Sequence, residues 1–528
     1  MTLTRRLLLA AAPLIGAGGT GRRAAAQPTA LRIGVEAEIT SIDPHYHNLA
    51  PNKAMAAHFF DALILQDERQ RLRPGLATSW QALDDTTWEF RLREGVTWHD
   101  GSPFSAEDIA FTIGRAPRVP NSPSSFSLYI RQIAETTVVD PHTIRFRSET
   151  PFPLMPIYLS TFGIVSRRHG EQASTADYNS GKAMIGTGPY RFMSWTPGNR
   201  LVMERNPAYW DGPQPWTTVT MQFISSPAAR VAALLAGDLD LIDALPTSDI
   251  TRIERDNRFQ VSRAVANRNM YVFVDHLDRQ SPFVADRQGR LLPANPFRDL
   301  RVRRAVSMAI NREAMVSRVM DGAAEATGQV MPRDWFGWTP SLPVPPYDVE
   351  GARRLLAEAG FPNGFNLTIH CTNNRYVNDE RICQALGQML TRAGIQTQVQ
   401  VLPFATWITA ASRQDYSMLF GGWGIDTAEP SSPLGSLLAT YDRATGRGAS
   451  NRSRYSNPEV DRLVAEGLAT MDDEARRRIF VRATEVAMND VGLVPLHHQV
   501  NLWAVRRGLV HVARADEWTL AMSVRQSV

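Results

Sequence analysis

Two residue types are nearly missing from this chain: cysteine, present only as Cys371 and Cys383, and lysine, present only as Lys53 and Lys182. Two cysteines alone cannot build a thiolate metal site. In an oxidising compartment they leave two alternatives, one disulfide or two buried thiols. The basic residues are therefore almost all arginine, which reads as codon bias in a GC-rich genome rather than as a binding patch. There is no low-complexity tract, no fixed-period repeat and no apolar run approaching the roughly 20 residues of a spanning helix. The chain also lacks a G-x-S-x-G elbow, an H-E-x-x-H helix and a phosphate-binding Gly-Lys-Ser/Thr loop. These absences argue for a protein that binds without catalysing, and no cofactor is expected.

The N-terminus reads as an export signal. Arg5 and Arg6 precede a modest apolar run from Leu7 to Ala17, and Ala24, Ala25 and Ala26 offer small residues for cleavage before Gln27. The pattern fits a twin-arginine signal and an ordinary Sec signal alike. No cysteine stands near the cleavage site for lipid attachment, so the mature chain is expected to be soluble and periplasmic. Removing residues 1–26 takes four arginines from the 57 basic residues and no acid, leaving 53 against 53 acidic residues. The formal charge of +4 is thus a property of the signal and gives no reason to expect nucleic-acid binding.

About 500 residues exceed one comfortable core, so two or more domains are expected. Leu31 to Val35 reads as an opening strand, and Ala54 to Leu65 as a helix with Met55, Phe59 and Leu63 on one face. Trp88, Phe90 and Leu92 alternate with polar residues as a strand, and Val96 and Trp98 repeat the alternation after a turn. His99-Asp100-Gly101 supplies a further turn. Ser105 and Asp108 then form a capping-box pair, stapled by Phe104 and Ile109. Ser226 and Pro227 start a helix that Gly237 ends. The polar loop from Ser281 to Pro296 is a candidate crossing between lobes. Phe365 to Cys371, a helix from about Asp379 to Ala393 and Ile395 to Val401 form a βαβ unit with parallel strands. Strands and helices alternate throughout, which predicts an α/β fold.

The stretch WEFRLREGVTWHDGSPFSAEDIAFTI, from Trp88 to Ile113, resembles a signature of the bacterial family 5 extracellular solute-binding proteins, the oligopeptide and dipeptide receptors of ABC importers. GTGPYRF, ERNPAYWDG, DLRVRRAVSMAINREAM, ARRLLAEAGFPNGF and YSNPEVDRL extend the resemblance, in order, over nearly the whole mature chain. The resemblance implies a type II periplasmic-binding fold, two lobes and a hinge with an inserted extra domain. Carried onto this sequence, domain one is 27–53, 187–295 and 491–528, domain two is 54–186 and domain three is 296–490. It also implies a monomer that captures a peptide or peptide-like solute by hinge closure and delivers it to the membrane permease subunits of an ABC transporter. A receptor for a metal chelate, glutathione, haem or a sugar-derived solute is the alternative within the family. A secreted hydrolase is the alternative outside it.

Ser417 to Trp423 reads as a strand, so Asp426 lies just past its carboxyl end, where open α/β sheets bind ligands. Taken alone, an acid there reads as a turn residue. Trp423-Gly424-Ile425-Asp426 resembles the family's Trp-x-x-Asp, which implies that Asp426 receives a peptide α-ammonium group. By the same resemblance Gly422, Trp423 and Gly424 pair with the peptide main chain, and Asn48, Leu49 and Ala50 form the opposing segment. Trp407 matches a pocket wall, although a core position reads equally well, and His498 falls near the cleft. Phe420 stands where some oligopeptide receptors carry a basic residue. His497 and His498 are adjacent on a strand and point to opposite faces, and neither they nor His45 and His47 have an acid or thiol at ligand spacing, so no metal site is expected. His99 and Asp100 are read as structural.

Overall fold

The computed structural model describes residues 29–527, so the expected export signal lies outside the described residues. Twelve strands form one continuous mixed sheet. Its centre is two long antiparallel strands, Phe259–Val274 and Val494–Arg506. On one side the sheet continues through Leu241–Ile242, Ala30–Val35, Thr218–Phe223, Arg200–Arg205 and Tyr190–Thr196. On the other it continues through Met418–Gly424 and Phe365–Thr372, with Ile395–Leu402 and Val284–Ala285 beyond.

The two central strands belong to both halves. Phe259 to Val265 pairs with Val500 to Arg506; beyond the shift Asn269 to Val272 stays paired with Val494 to His498, and Arg268 to Val274 gains Met418 to Gly424 as a second neighbour. Between them the register shifts, first between Val265 and Asn269 and again between Met270 and Tyr271. Such interruptions bend a strand and redirect its side chains. The halves are therefore joined by paired strands and not by the expected loop at Ser281–Pro296. Val284–Ala285, inside that loop, pairs with Leu367 and Asn366 in the far half. Val494 to His498 likewise lies beyond the shift, paired with Asn269 to Val272 and, at His497 and His498, with Ala326 and Glu325. Strand periodicity reveals a strand but not where it exchanges neighbours.

Other elements follow from local chemistry. The helix expected over Ala54–Leu65 is Ala50–Ala56, started by Pro51 at its first turn. It stops because His58 turns its ring back onto it: Nδ1–H donates to the Ala54 and Met55 carbonyls at 3.0 and 3.2 Å, and Nε2 accepts from the Ala521 N–H at 3.0 Å. Met55, Phe59 and Leu63 are all buried, as their pattern requires, but only Met55 lies within the helix. Ile64–Gln66 is instead a strand paired with Leu72–Pro74.

The Trp88–Ile113 stretch lies in a separate four-stranded sheet with its own core. Thr87–Leu92 is a strand and Ala106–Arg115 a helix, with the Ser105 N–H donating to the Asp108 carboxylate at 3.0 Å. Val96 and Trp98 form no strand; Thr97 makes a single bridge to Pro103, and both apolar residues anchor the turn in the core. This segment leaves and rejoins the main sheet at neighbouring points, because Gly188 and Tyr190 donate their N–H groups to the Phe59 and His58 carbonyls. A Cβ at Gly186 would overlap the Phe59 carbonyl oxygen, so only glycine allows that approach. His99 ties the same junction: Nδ1 accepts from the Gly186 N–H at 3.1 Å and Nε2–H donates to the Gly188 carbonyl at 3.0 Å.

The expected βαβ unit is present, with Phe365–Thr372 and Ile395–Leu402 parallel and Asp379–Arg392 between them. Ile382, Leu386 and Leu390 pack from this helix onto Phe365, Leu367 and Ile369. Cys371 and Cys383 form a disulfide within the unit, which resolves the two alternatives in favour of the bond.

Candidate ligand-binding site

Met418, Leu419 and Phe420 are fully buried, so the strand Met418–Gly424 runs out of the core toward the strand crossing. Phe420 is core and touches the ring of Tyr376 edge-on. At Gly422 a Cβ would lie 2.6 Å from the Met270 sulfur and 3.0 Å from the Tyr376 ring, so a larger residue would require the Met270 side chain to move. The ladder closes with the Ile425 N–H donating to the Asn267 carbonyl at 3.0 Å, and Asp426 emerges beyond it with its side chain 53% exposed.

Lys53, from the helix Ala50–Ala56 in the other half, faces Asp426. Its Nζ lies 3.5 Å from Asp426 Oδ2 and 5.8 Å from the centre of the Tyr129 ring, and its side chain is only 8% exposed. Burial opposes the charge on Lys53, yet the Asp426 carboxylate and the Tyr129 phenol outweigh it and hold the ammonium above the ordinary lysine range. Around this pair the chain is tied across the crossing. Gln70 Nε2 donates to the Asp426 carbonyl at 3.3 Å, and Asn267 Nδ2 donates to Gln70 Oε1 at 2.9 Å. Arg268 grips Glu517 through two bonds, 2.7 and 2.9 Å, and Arg514 is paired with the buried carboxylate of Asp516. Burial opposes the Arg268 charge, but the Glu517 carboxylate outweighs it and raises the guanidinium further.

Two voids meet here. One of about 40 Å³ is bounded by Ala50, Lys53, Gln70, Arg268, Asp426 and Glu517, among others. The other, about 430 Å³, shares Lys53, Gln66, Ser160, Thr161 and Trp518 with it but has no lining residue between 215 and 511. Its size suits a small solute. The larger void thus lies to one side of Asp426, and Lys53 connects the two.

Of the residues singled out in the sequence, Asp426 and Ala50 line the smaller void. Gly422, Trp423 and Gly424 pair along one edge with Met270, Asn269 and Arg268; the Gly422 carbonyl accepts from the Tyr376 hydroxyl at 3.3 Å, and the Trp423 indole donates to Ser432 at 2.9 Å. The edge expected at Asn48 and Leu49 is already in use, since their N–H groups donate to the Ser124 and His47 carbonyls. Trp407 lines neither void; it is buried, stacks on Phe404 at 5.7 Å and packs beneath Gly421. His498 also lines neither. It is buried in the strand crossing opposite Asn269 and Glu325, where burial pushes it down to about 4 and keeps it neutral. His45 is committed to structure as well, with Nε2–H on the Gly163 carbonyl and Nδ1 accepting from Arg115, itself paired with Asp43. Among the described residues, no three His, Cys, Asp or Glu side chains converge as a metal site.

Sequence reasoning missed Lys53, Gln70, Asn267, Arg268 and Glu517. Only Lys53 carried a signal, its rarity. Arg268 and Glu517 are 249 residues apart and meet only through the fold.

A sheet shared by two halves, with facing charges beside the register shift of its central strands, defines a two-lobed binding protein. Solved structures share the fold: the Escherichia coli murein tripeptide binding protein MppA (TM-score 0.72, 23% identity, 95% of this chain and 99% of that one) and DppA from Helicobacter pylori in complex with the peptide STSA (0.75, 21%, 94% and 98%). The glutathione-binding protein GsiB of Escherichia coli strain K12 is 26% identical over 474 residues, 88% of each chain, and that of Shigella flexneri serotype 5b is 27% identical over 476 residues with the same coverage. Residues 71–445 match the bacterial extracellular solute-binding proteins, family 5 (middle region), and the chain belongs to that family. No helix among the described residues is long and apolar enough to cross a membrane.

Proposed function

We propose that this solute-binding protein captures a peptide or peptide-like solute between its two halves and hands it intact to the permease of an ABC importer. The observation that carries the reading is Asp426: a half-exposed carboxylate at a strand end, facing a cation from the other half across a void. Such a carboxylate suits an α-ammonium group, and charge-assisted bonds are the strong ones. Support comes also from relatives named for glutathione and from a similar structure holding a peptide. Solute contacts from both halves favour the closed arrangement, and only that differential affinity moves the equilibrium. The hinge lies at the register shifts around Asn267, with 54–186 as the inserted domain. The mature protein acts as a periplasmic monomer after cleavage near residue 26, by either export route.

The test is calorimetry of the mature protein against di- and tripeptides and glutathione. Saturable binding is expected, weakened by Asp426→Asn, with mass spectrometry recovering the bound solute unaltered. Unchanged affinity in Asp426→Asn overturns the role of Asp426, and turnover of the solute overturns the receptor reading.

A further inference from the structure

Gln70 stands at the tip of the hairpin formed by Ile64–Gln66 and Leu72–Pro74, yet it is only 4% exposed, and its backbone is left-handed at φ 59°. Loop tips usually face water, and a residue with a side chain keeps a positive φ only where its surroundings enforce it. The tip is rigid in its own right. The Gln70 N–H donates to the Asp67 carbonyl at 3.0 Å, and the Asp67 carboxylate accepts from the Arg69 and Arg71 N–H groups at 2.8 and 2.9 Å. It is also tied to the C-terminal segment: the Glu68 carbonyl accepts from the Ala515 N–H at 2.9 Å, and the Ala515 carbonyl accepts from the Asn267 N–H at 2.9 Å.

Asn267 lies inside the register shift, where its strand loses its pairing to Val494–Arg506 between Val265 and Asn269. Its backbone groups are therefore released from that ladder and need other partners. The N–H goes to Ala515, and the carbonyl accepts from the Ile425 N–H of the far half at 3.0 Å. Its side chain turns the other way, with Nδ2 donating to Gln70 Oε1 at 2.9 Å, and Gln70 Nε2 donates onward to the Asp426 carbonyl at 3.3 Å. One glutamine of the inserted domain thus joins the register shift to the far half. It does so through the main chain of Asp426, leaving the carboxylate uninvolved.

We propose that Gln70 is a positioning residue for closure, and that the hairpin tip gives the inserted domain its part in solute capture. The bond to Asp426 belongs to the arrangement in which the far half lies against the hairpin, and it is lost when the halves part. A bond made in one of two arrangements shifts the population toward that one. Every solute that requires the closed arrangement then binds more tightly by the same factor, whatever its own chemistry. This rests on the reading of capture by closure.

The test is Gln70→Gly, which keeps the left-handed backbone without strain and removes both side-chain bonds. Calorimetry of the mature protein against di- and tripeptides and glutathione is expected to show every affinity lowered by one common factor, about fivefold, the net worth of one hydrogen bond. Gln70→Asn, whose backbone also tolerates positive φ but whose side chain is one methylene short, is expected to do the same and serves should the glycine variant fail to fold. Small-angle scattering of the unliganded variant is expected to give a larger radius of gyration than wild type, restored by saturating solute. A purely structural role would lower the urea midpoint and leave affinity and radius unchanged, which overturns the inference. A loss that differs from solute to solute means that Gln70 touches the solute, and overturns it as well. Should wild type bind none of these solutes, the reading of capture falls, and an unchanged radius in the unliganded variant overturns the inference separately.

Discussion

Replacing Asp426 by Asn perturbs the empty protein as well as the loaded one, because it leaves Lys53 buried without a counter-charge. The size of the effect follows from the geometry. Breaking a fully buried pair costs about 3–5 kcal/mol, whereas an exposed pair contributes roughly 0–1 kcal/mol. Here the cation is 8% exposed and the anion 53%, with 3.5 Å between them. Water reaches the carboxylate and screens the pair, so Asp426→Asn should cost about 1–2 kcal/mol. Lys53→Met leaves only a carboxylate that water can solvate and should be nearly neutral. The double variant should then resemble Lys53→Met, giving a coupling of about 1–2 kcal/mol in a double-mutant cycle. The sign with pH is fixed: the Lys53 ammonium is held above its ordinary 10.5, so the contribution is complete at neutral pH and is lost only as pH rises beyond the lysine range. Heat is a poor probe, because at about 2.1 cal/mol/K per residue a chain of this length moves only about 1 °C per kcal/mol. Urea unfolding followed by tryptophan fluorescence is the better assay. Effects that add to within about 0.5 kcal/mol would show that the two side chains are not coupled.

Two further predictions concern the frame. His58 is fully buried and pushed down to about 4 by burial, and its Nε2 accepts a backbone N–H that a second ring proton would oppose. The unfolded chain therefore takes up a proton between the ordinary 6.5 and about 4 that the folded protein refuses, so stability should fall with acid over that window, by roughly 3 kcal/mol when complete. Urea midpoints of His58→Gln should lose one proton's worth of this slope relative to wild type; parallel curves refute the assignment. Reduction of Cys371–Cys383, which closes a separation of 12 residues, should lower stability by about 3 kcal/mol on chain-entropy grounds. Solute affinity should be unchanged, since neither cysteine lines a void. A large loss of affinity on reduction would contradict that separation.

Local signals were legible wherever a short stretch determines its own conformation. Ser105 and Asp108 cap a helix, Gly237 ends one with φ 84°, and the alternation from Phe365 to Cys371 marks a strand. The end of the helix at Ala56 was not legible, because His58 and the distant Ala521 enforce it and no periodicity records them. The same holds for the halves: only the partners of Phe259–Val274 show that it belongs to both. At the site, the position of Asp426 past a strand end was readable from the order of elements. Its partner was not, since Lys53 reaches it from a helix 373 positions earlier in the sequence. The burial of Trp407 and His498 was not legible either, since a large or titratable side chain near a cleft in sequence order can point outward or into the core.

The continuous sheet has a practical consequence. Because the ladder passes unbroken in connectivity from one edge of the molecule to the other, the halves share hydrogen bonds and not merely a surface. Stabilisation conferred along the crossing is then felt by both halves of the main sheet, and a bound solute adds RT ln(1 + [L]/Kd) to the unfolding of that sheet. The protein thus acts as its own reporter: a library of unlabelled metabolites can be screened by denaturation alone, with no knowledge of the permease and no dye placed at the site.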